Sequence, residues 1–144
     1  MNQLIFTIHL VTCAIMVGVI WLIQLIHYPS FEYISTKRYF EFQKLHMNRV
    51  SIIVMPVMLL ESISGAYILF YIFPNDKIYA FSIVLLVIIW IITGLYFSKV
   101  HSKLLHDNSL VIKKKLVQKN WSRTIIWTIR LVLIFWLTNK FALQ

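Results

Sequence analysis

Residues 78–100 read IYAFSIVLLVIIWIITGLYFSKV, and this stretch decides the fold class. It carries no charge before Lys99. A helix of about 20 apolar residues is long enough to cross the hydrocarbon core of a bilayer, which is about 30 Å thick. Residues 78–100 therefore predict a membrane-spanning helix.

Three further stretches have the same character, at residues 4–27, 50–73 and 121–141. The chain of 144 residues is 60% hydrophobic and 13% charged, whereas soluble domains are about half apolar and a quarter charged. The first stretch lacks the basic start and small-residue cleavage site of a signal peptide, so we expect it to be retained. The sequence predicts one all-α domain over 1–144, an integral membrane four-helix bundle.

The net charge of +9 is concentrated on one side of this predicted bundle. The connections after the first and third spans carry most of it, and the opposite side carries Lys77 and Lys140. By the positive-inside rule we expect the basic side to be cytoplasmic and both termini to be outside, in a multi-pass protein of the bacterial inner membrane. Anionic lipid headgroups, rather than nucleic acid, are the expected partner of these charges. The basic residues concerned are Lys37, Arg38, Lys44, Arg49, Lys99, Lys103, Lys113, Lys114, Lys115, Lys119 and Arg123.

Two opposite charges fall deep within the predicted spans. Glu61 lies near the middle of the second span, and Arg130 lies within the fourth. An isolated charge at that depth is costly, so we expect the two side chains to pair inside the bundle. Such a pair could serve function, or it could only fix the register of the helices.

Three histidines on three helices fall at a similar depth, near the basic side. These are His27, His46 and His101, with Arg123 close to the same level. Neutral imidazole binds haem iron, copper or zinc and transfers protons near neutral pH, and arginine binds carboxylate or phosphate groups. The same histidines could instead be polar anchors at the membrane interface. Including Trp90 and His9, the candidate cofactor-binding residues are His9, His27, His46, His101, Trp90 and Arg123.

The sequence defines no metal site and no catalytic set. His9 and His27 share one helix face, but they lie about 27 Å apart along the axis and cannot bind one ion together. Cys13 is the single cysteine, which excludes an intramolecular disulfide. Neither HExxH nor an ordered Ser-His-Asp set is present, so catalysis would depend on a bound cofactor or on proton transfer.

One set of residues lies along the first two predicted spans: His9, Trp21, Tyr28-Pro29, Phe31, Arg49, Pro56-Val57-Met58 and Gly65. In these residues and in its layout, the chain resembles the HemJ-type membrane protoporphyrinogen oxidases, four-helix proteins of haem synthesis. The resemblance implies oxidation of a porphyrinogen, with His9 as the candidate ligand of haem b. Ser30 stands where the family has a basic residue, and the family's lysine near the start of the third span is missing, because the basic residue Lys77 lies in the turn before it. These departures also fit a separate membrane family.

Three functions are therefore open at this point. The first is a membrane oxidoreductase that holds haem or a quinone among its helices. The second is a non-catalytic assembly subunit, in which interior charges hold a partner membrane protein. The third is a small transporter, which we would expect to be a homodimer because four helices seldom enclose a path alone.

Overall fold

The computed structural model describes the backbone of residues 1–142 and the side chains as far as Thr138. Over this range the chain forms four long helices and no strand, which confirms the predicted all-α four-helix fold. We number them α1 (Asn2–Tyr33), α2 (Thr36–Ile72), α3 (Lys77–Leu104) and α4 (Leu110–Ala142). All four are long and apolar enough to cross a membrane. The side chain of Lys140 and the end of the fourth predicted span lie outside the described side chains.

Short connections place the helices antiparallel to their neighbours in sequence. Asp76 ends the connection between α2 and α3, and its Oδ1 accepts hydrogen bonds from the backbone N–H of Ile78 and of Tyr79, both at 2.9 Å. This is an N-terminal cap, as turn residues at that point favour. The connections at residues 34–35 and 105–109 lie at the other end, which we call the basic end. The end with the N-terminus and residues 73–76 is the terminal end.

A proline directly after the first apolar stretch predicts that the first helix closes at Pro29, but the helix continues to Tyr33, so this prediction is wrong. A π-helical turn at Ile23–His27 is followed by a short α segment at Tyr28–Ser30 and a 3-10 turn at Phe31–Tyr33. Proline is tolerated in the first turn of a helical segment, where its missing N–H leaves no bond unmade. The change of register after the π turn places Pro29 at such a position, so the helix continues beyond it.

The fourth helix begins well before the predicted span. It starts at Leu110 and includes Lys113, Lys114 and Lys115, a run of charges that favours the interpretation of a solvated link. Lys114 and Lys115 are exposed, but Lys113 is buried. The interpretation was therefore wrong for Lys113.

Large apolar side chains cover much of the outside of the bundle, and several ionisable side chains lie inside it. Large apolar side chains such as Ile52, Phe70 and Phe135 are each more than 60% exposed. Ionisable side chains including His9, Glu61 and Arg130 have no exposed surface. This distribution is typical of membrane helices, since lipid accepts the apolar surface and polar groups turn inward.

Helix packing leaves space on one side of the bundle. α1 packs along α2 and α4, and α4 packs along α3. α2 and α3 contact each other less. A π turn at Ile68–Ile72 ends α2, and another at Thr93–Phe97 interrupts α3. A π turn widens a helix locally and is frequent at functional sites. The turn at Thr93–Phe97 lies beside the space between α2 and α3.

Candidate functional site

Three imidazole rings meet at the basic end, each from a different helix. His27 Nε2 on α1 lies 2.5 Å from His46 Nδ1 on α2. The centroids of the His46 and His101 rings, on α2 and α3, are 5.1 Å apart. The residues expected at similar depth thus form one contiguous cluster.

Two polar side chains hold His101 through both ring nitrogens. Its Nε2 lies 2.8 Å from the hydroxyl of Tyr28, and its Nδ1 lies 3.0 Å from the side-chain nitrogen of Gln43. Tyr28 and Gln43 were not among the candidate residues. Tyr28 resembled an interfacial aromatic side chain in the sequence, but it is buried.

Arg123 approaches the same cluster from α4. Its Nη2 donates to the Tyr28 hydroxyl at 3.1 Å, and its Nε donates to Asn120 Oδ1 at 2.9 Å. The guanidinium lies over the ring of Phe97, 3.5 Å from the ring centroid. Among the described side chains no carboxylate pairs with Arg123. The site therefore contains a buried positive charge with no counter-charge of its own.

A cavity of about 350 Å³ lies beside this cluster and is lined by all four helices. Its polar end carries His46, His101, Tyr28 and Arg123, and its wall is apolar. The wall residues are Met16, Val19, Ile20, Ile23, Val50, Val54, Met55, Trp90, Gly94, Phe97 and Trp127.

The cavity opens to the outer surface of the bundle between α2 and α3. Most of its lining is buried or half-buried, but Ser51 and Met55 on α2 and Gly94 and Ser98 on α3 are exposed. These four residues form a rim between α2 and α3. The opening connects the interior of the bundle with its outer surface.

Several polar atoms in the cavity lining have no protein partner, among them the enclosed Thr93 Oγ1 on α3 and one nitrogen each of His46 and Arg123 at the polar end. His46 Nε2 and Arg123 Nη1 make no hydrogen bond within the described part of the chain, and neither atom is fully enclosed. Both residues line the cavity. A hydrogen-bonding group and a cationic donor are therefore available to a molecule in the cavity.

The structure brings Glu61 and Arg130 together deeper in the bundle. Arg130 Nη1 donates to Glu61 Oε1, and both side chains are completely buried. Arg130 Nε also donates to the backbone oxygen of Ser82 at 2.9 Å. The other carboxylate oxygen, Glu61 Oε2, accepts from the indole nitrogen of Trp127 at 3.3 Å. Because Trp127 is part of the cavity wall, its hydrogen bond to Glu61 connects the buried ion pair with the cavity.

His9 lies apart from the cluster, toward the terminal end. Its Nδ1 lies 3.0 Å from the backbone oxygen of Glu61 and 3.2 Å from Ser64 Oγ. Its Nε2 is enclosed and has no hydrogen bond. A Cβ atom built on Gly65 would lie 2.9 Å from His9 Cε1. The His9 imidazole is therefore fully buried and closely packed against α2, and it does not line the cavity described above.

Trp90 belongs to the cavity wall, as a candidate binding residue should. Its indole nitrogen donates to Ser62 Oγ at 2.9 Å, which joins α3 to α2 below the rim. The ring faces the interior between the two helices. Trp90, His46, His101 and Arg123 thus share one cavity, whereas His27 reaches it only through His46.

Sequence reasoning missed Lys113, although the helical pattern contained the signal. Its Nζ donates to the backbone oxygen of Phe31 at 2.8 Å and lies 3.8 Å from the centroid of the Tyr39 ring. The contact holds the end of α1 against the beginnings of α2 and α4. The buried residues of α4 follow one another at intervals of three or four positions, and this pattern begins at Lys113. They are Lys113, Leu116, Asn120, Arg123, Trp127, Arg130, Ile134 and Leu137.

Fold and site together define a four-helix protein suited to crossing a membrane, with a polar-ended cavity that opens between α2 and α3. Over the residues described, no group of three or more His, Cys, Asp or Glu side chains is arranged to hold a metal ion. Comparison with protein-family models, with curated proteins and with solved structures finds no match for this chain.

Proposed function

We propose that this protein is a membrane protein of the redox class that binds the head group of a quinone in the cavity between α2 and α3. The observation that supports the proposal is that His46 Nε2 and Arg123 Nη1 are both unengaged at the polar end of a mostly apolar cavity. A buried guanidinium without a counter-charge favours a ligand oxygen that can accept its hydrogen bond.

The chemistry of a quinone matches this lining. One ring carbonyl would accept a hydrogen bond from Arg123, and a second oxygen would bond to His46 Nε2. Pockets that bind small molecules are mostly apolar, with a few polar groups that fix the orientation of the ligand. Phe97, Trp90 and Trp127 supply flat apolar surface for the ring. A bound quinone supplies two-electron redox chemistry, whereas the protein binds and orients it.

The size and position of the cavity favour a single-ring head group over a porphyrin. Its volume of about 350 Å³ is at the small end of the usual range for ligand pockets, about 300–1,000 Å³. The rim formed by Ser51, Met55, Gly94 and Ser98 faces the bilayer. A hydrocarbon tail would leave through this rim while the head group stays at the polar end.

Intrinsic tryptophan fluorescence tests the proposal, since Trp90 and Trp127 lie in the cavity wall. We expect decylubiquinone, added to the purified protein in detergent, to quench this fluorescence saturably. Gly94→Leu should weaken binding at least about tenfold, or about 1.4 kcal/mol, because the new side chain occupies the cavity. A Cβ at Gly94 meets no atom within 4 Å, so the variant should fold.

Gly18→Leu is the matched control. Gly18 also has no atom within 4 Å of a built Cβ, but it lies in a second groove, on the outer side of the contact between α1 and α2. We expect its affinity for decylubiquinone to equal that of the wild type. Equal quenching of both variants, or no saturable quenching of the wild type, would refute the proposal. A Soret band in the visible spectrum of the purified protein would favour haem instead.

A further inference from the structure

We propose that His46 and His27 form a proton relay that connects the cavity with the outer face of α1 and α2 at the basic end. The relay rests on the proposed function, because it serves a ligand in that cavity. It assigns a role to His27, which does not line the cavity itself. The direct contact between the His27 and His46 rings is the observation that supports this proposal.

The inner half of the relay is His46. Its Nε2 is available to the cavity, and its Nδ1 lies 2.5 Å from His27 Nε2. Imidazole can accept a proton at one nitrogen and release one from the other, so adjacent rings can pass a proton through the pair. At this distance the two nitrogens need no intervening water.

The outer half is His27, which is half-buried. It lines a second groove with Ile15, Gly18 and Leu22, on the outer side of the contact between α1 and α2. Its Nδ1 makes no hydrogen bond with the described residues and is not fully enclosed. The π turn at Ile23–His27 ends at this residue and sets the direction of its side chain. The ring of His27 therefore contacts the cluster on one side and the surface on the other.

Neighbouring groups restrict the path to these two rings. Both nitrogens of His101 are engaged, by Tyr28 and Gln43, so His101 is not available to carry the proton onward. Arg123 is the charged group that faces the ligand, and it favours the anionic form of a head group after proton loss. Phe31 and Phe42 pack on His27, with ring centroids 5.3 and 5.9 Å away, and limit other access to it.

The transfer conserves charge and atoms without an oxidant. The O–H bond of the head group breaks, its electron pair stays on the oxygen, and an N–H bond forms at His46 Nε2. The proton on His46 Nδ1 passes to His27 Nε2, and the proton on His27 Nδ1 passes to water at the membrane surface. One proton leaves the cavity, both rings change tautomer, and the reverse transfer restores them.

An alkyl-substituted 4-nitrophenol tests the relay, since its anion is yellow and it needs no redox partner. We expect the full-length protein to bind the probe at a pH at which the free phenol is protonated. The bound probe should turn yellow and release one proton, detected with a water-soluble pH dye in a stopped-flow instrument. His27→Phe and His27→Gln should bind the probe with unchanged affinity but slow both signals by about 100-fold or more.

His106→Phe is the control, because His106 is exposed and lies outside the cluster. It should leave both rates unchanged. Probe binding that is normal in both His27 variants, with unchanged rates, would overturn the relay and leave the proposed function intact. Absence of probe binding to the wild type would contradict the proposed function, and the relay with it.

Discussion

Replacing Glu61 with Ala is expected to lower the free energy of unfolding by about 3–5 kcal/mol, the usual result of removing one partner of a buried ion pair. Glu61 and Arg130 have no exposed surface, and Arg130 would lose the carboxylate that neutralises it. The indole nitrogen of Trp127 would lose its acceptor as well. Unfolding in a mixture of mild detergent and sodium dodecyl sulfate, followed by circular dichroism, measures the difference.

Two substitutions of exposed residues provide the comparison. Glu41 is a carboxylate on the same helix as Glu61, and His106 lies near the connection between α3 and α4. Glu41→Ala and His106→Ala should leave the free energy of unfolding within about 0.5 kcal/mol of the wild type. Glu61→Ala/Arg130→Leu should be more stable than Glu61→Ala alone, because it removes the unpaired charge. Equal stability of Glu61→Ala and the two controls would contradict a buried pair.

Replacing Gly65 with Ala is expected to destabilise the protein by about 1–3 kcal/mol through overpacking. The added methyl carbon would lie 2.9 Å from His9 Cε1 and 3.0 Å from Ile83 Cδ1. His9 cannot move aside freely, because its Nδ1 bonds to the Glu61 backbone oxygen and to Ser64. The backbone oxygen of Gly65 also accepts a hydrogen bond from Tyr79 at 3.1 Å, which ties α2 to α3 at this position. The same detergent unfolding measurement applies.

The other two glycines of the chain are matched controls for this substitution. A Cβ at Gly18 or Gly94 would meet no atom within 4 Å. Because alanine favours helix more than glycine does, Gly18→Ala and Gly94→Ala should equal or slightly exceed the wild type in stability. If all three alanine variants behaved alike, the close contact between Gly65 and His9 would be refuted.

The sequence predicted the number and type of helices because membrane-spanning segments follow from length and hydropathy. It also predicted that His27, His46 and His101 share a depth, because a helix rises by a fixed distance per residue. The pairing of Glu61 and Arg130 was expected from the cost of isolated charges in lipid. These predictions depend on regular helix geometry and on burial alone.

Other features depend on departures from regular geometry and could not be predicted in this way. The π turns at Ile23–His27 and Thr93–Phe97 shift the helical register, and no residue type marks them. The same shift allows the helix to pass Pro29 and brings Tyr28 into the cluster. The space between α2 and α3 depends on how all four helices pack together. The residue pattern of a single helix does not contain this information.

Native mass spectrometry of the protein, released from detergent after purification from its own membrane, tests the quinone cavity most directly. The wild type should carry one bound molecule whose mass and fragments identify a quinone, and Gly94→Leu should carry none. The same bound molecule in both proteins would place the ligand elsewhere. A wild type that carries only phospholipid, even after incubation with decylubiquinone, would contradict quinone binding in the cavity.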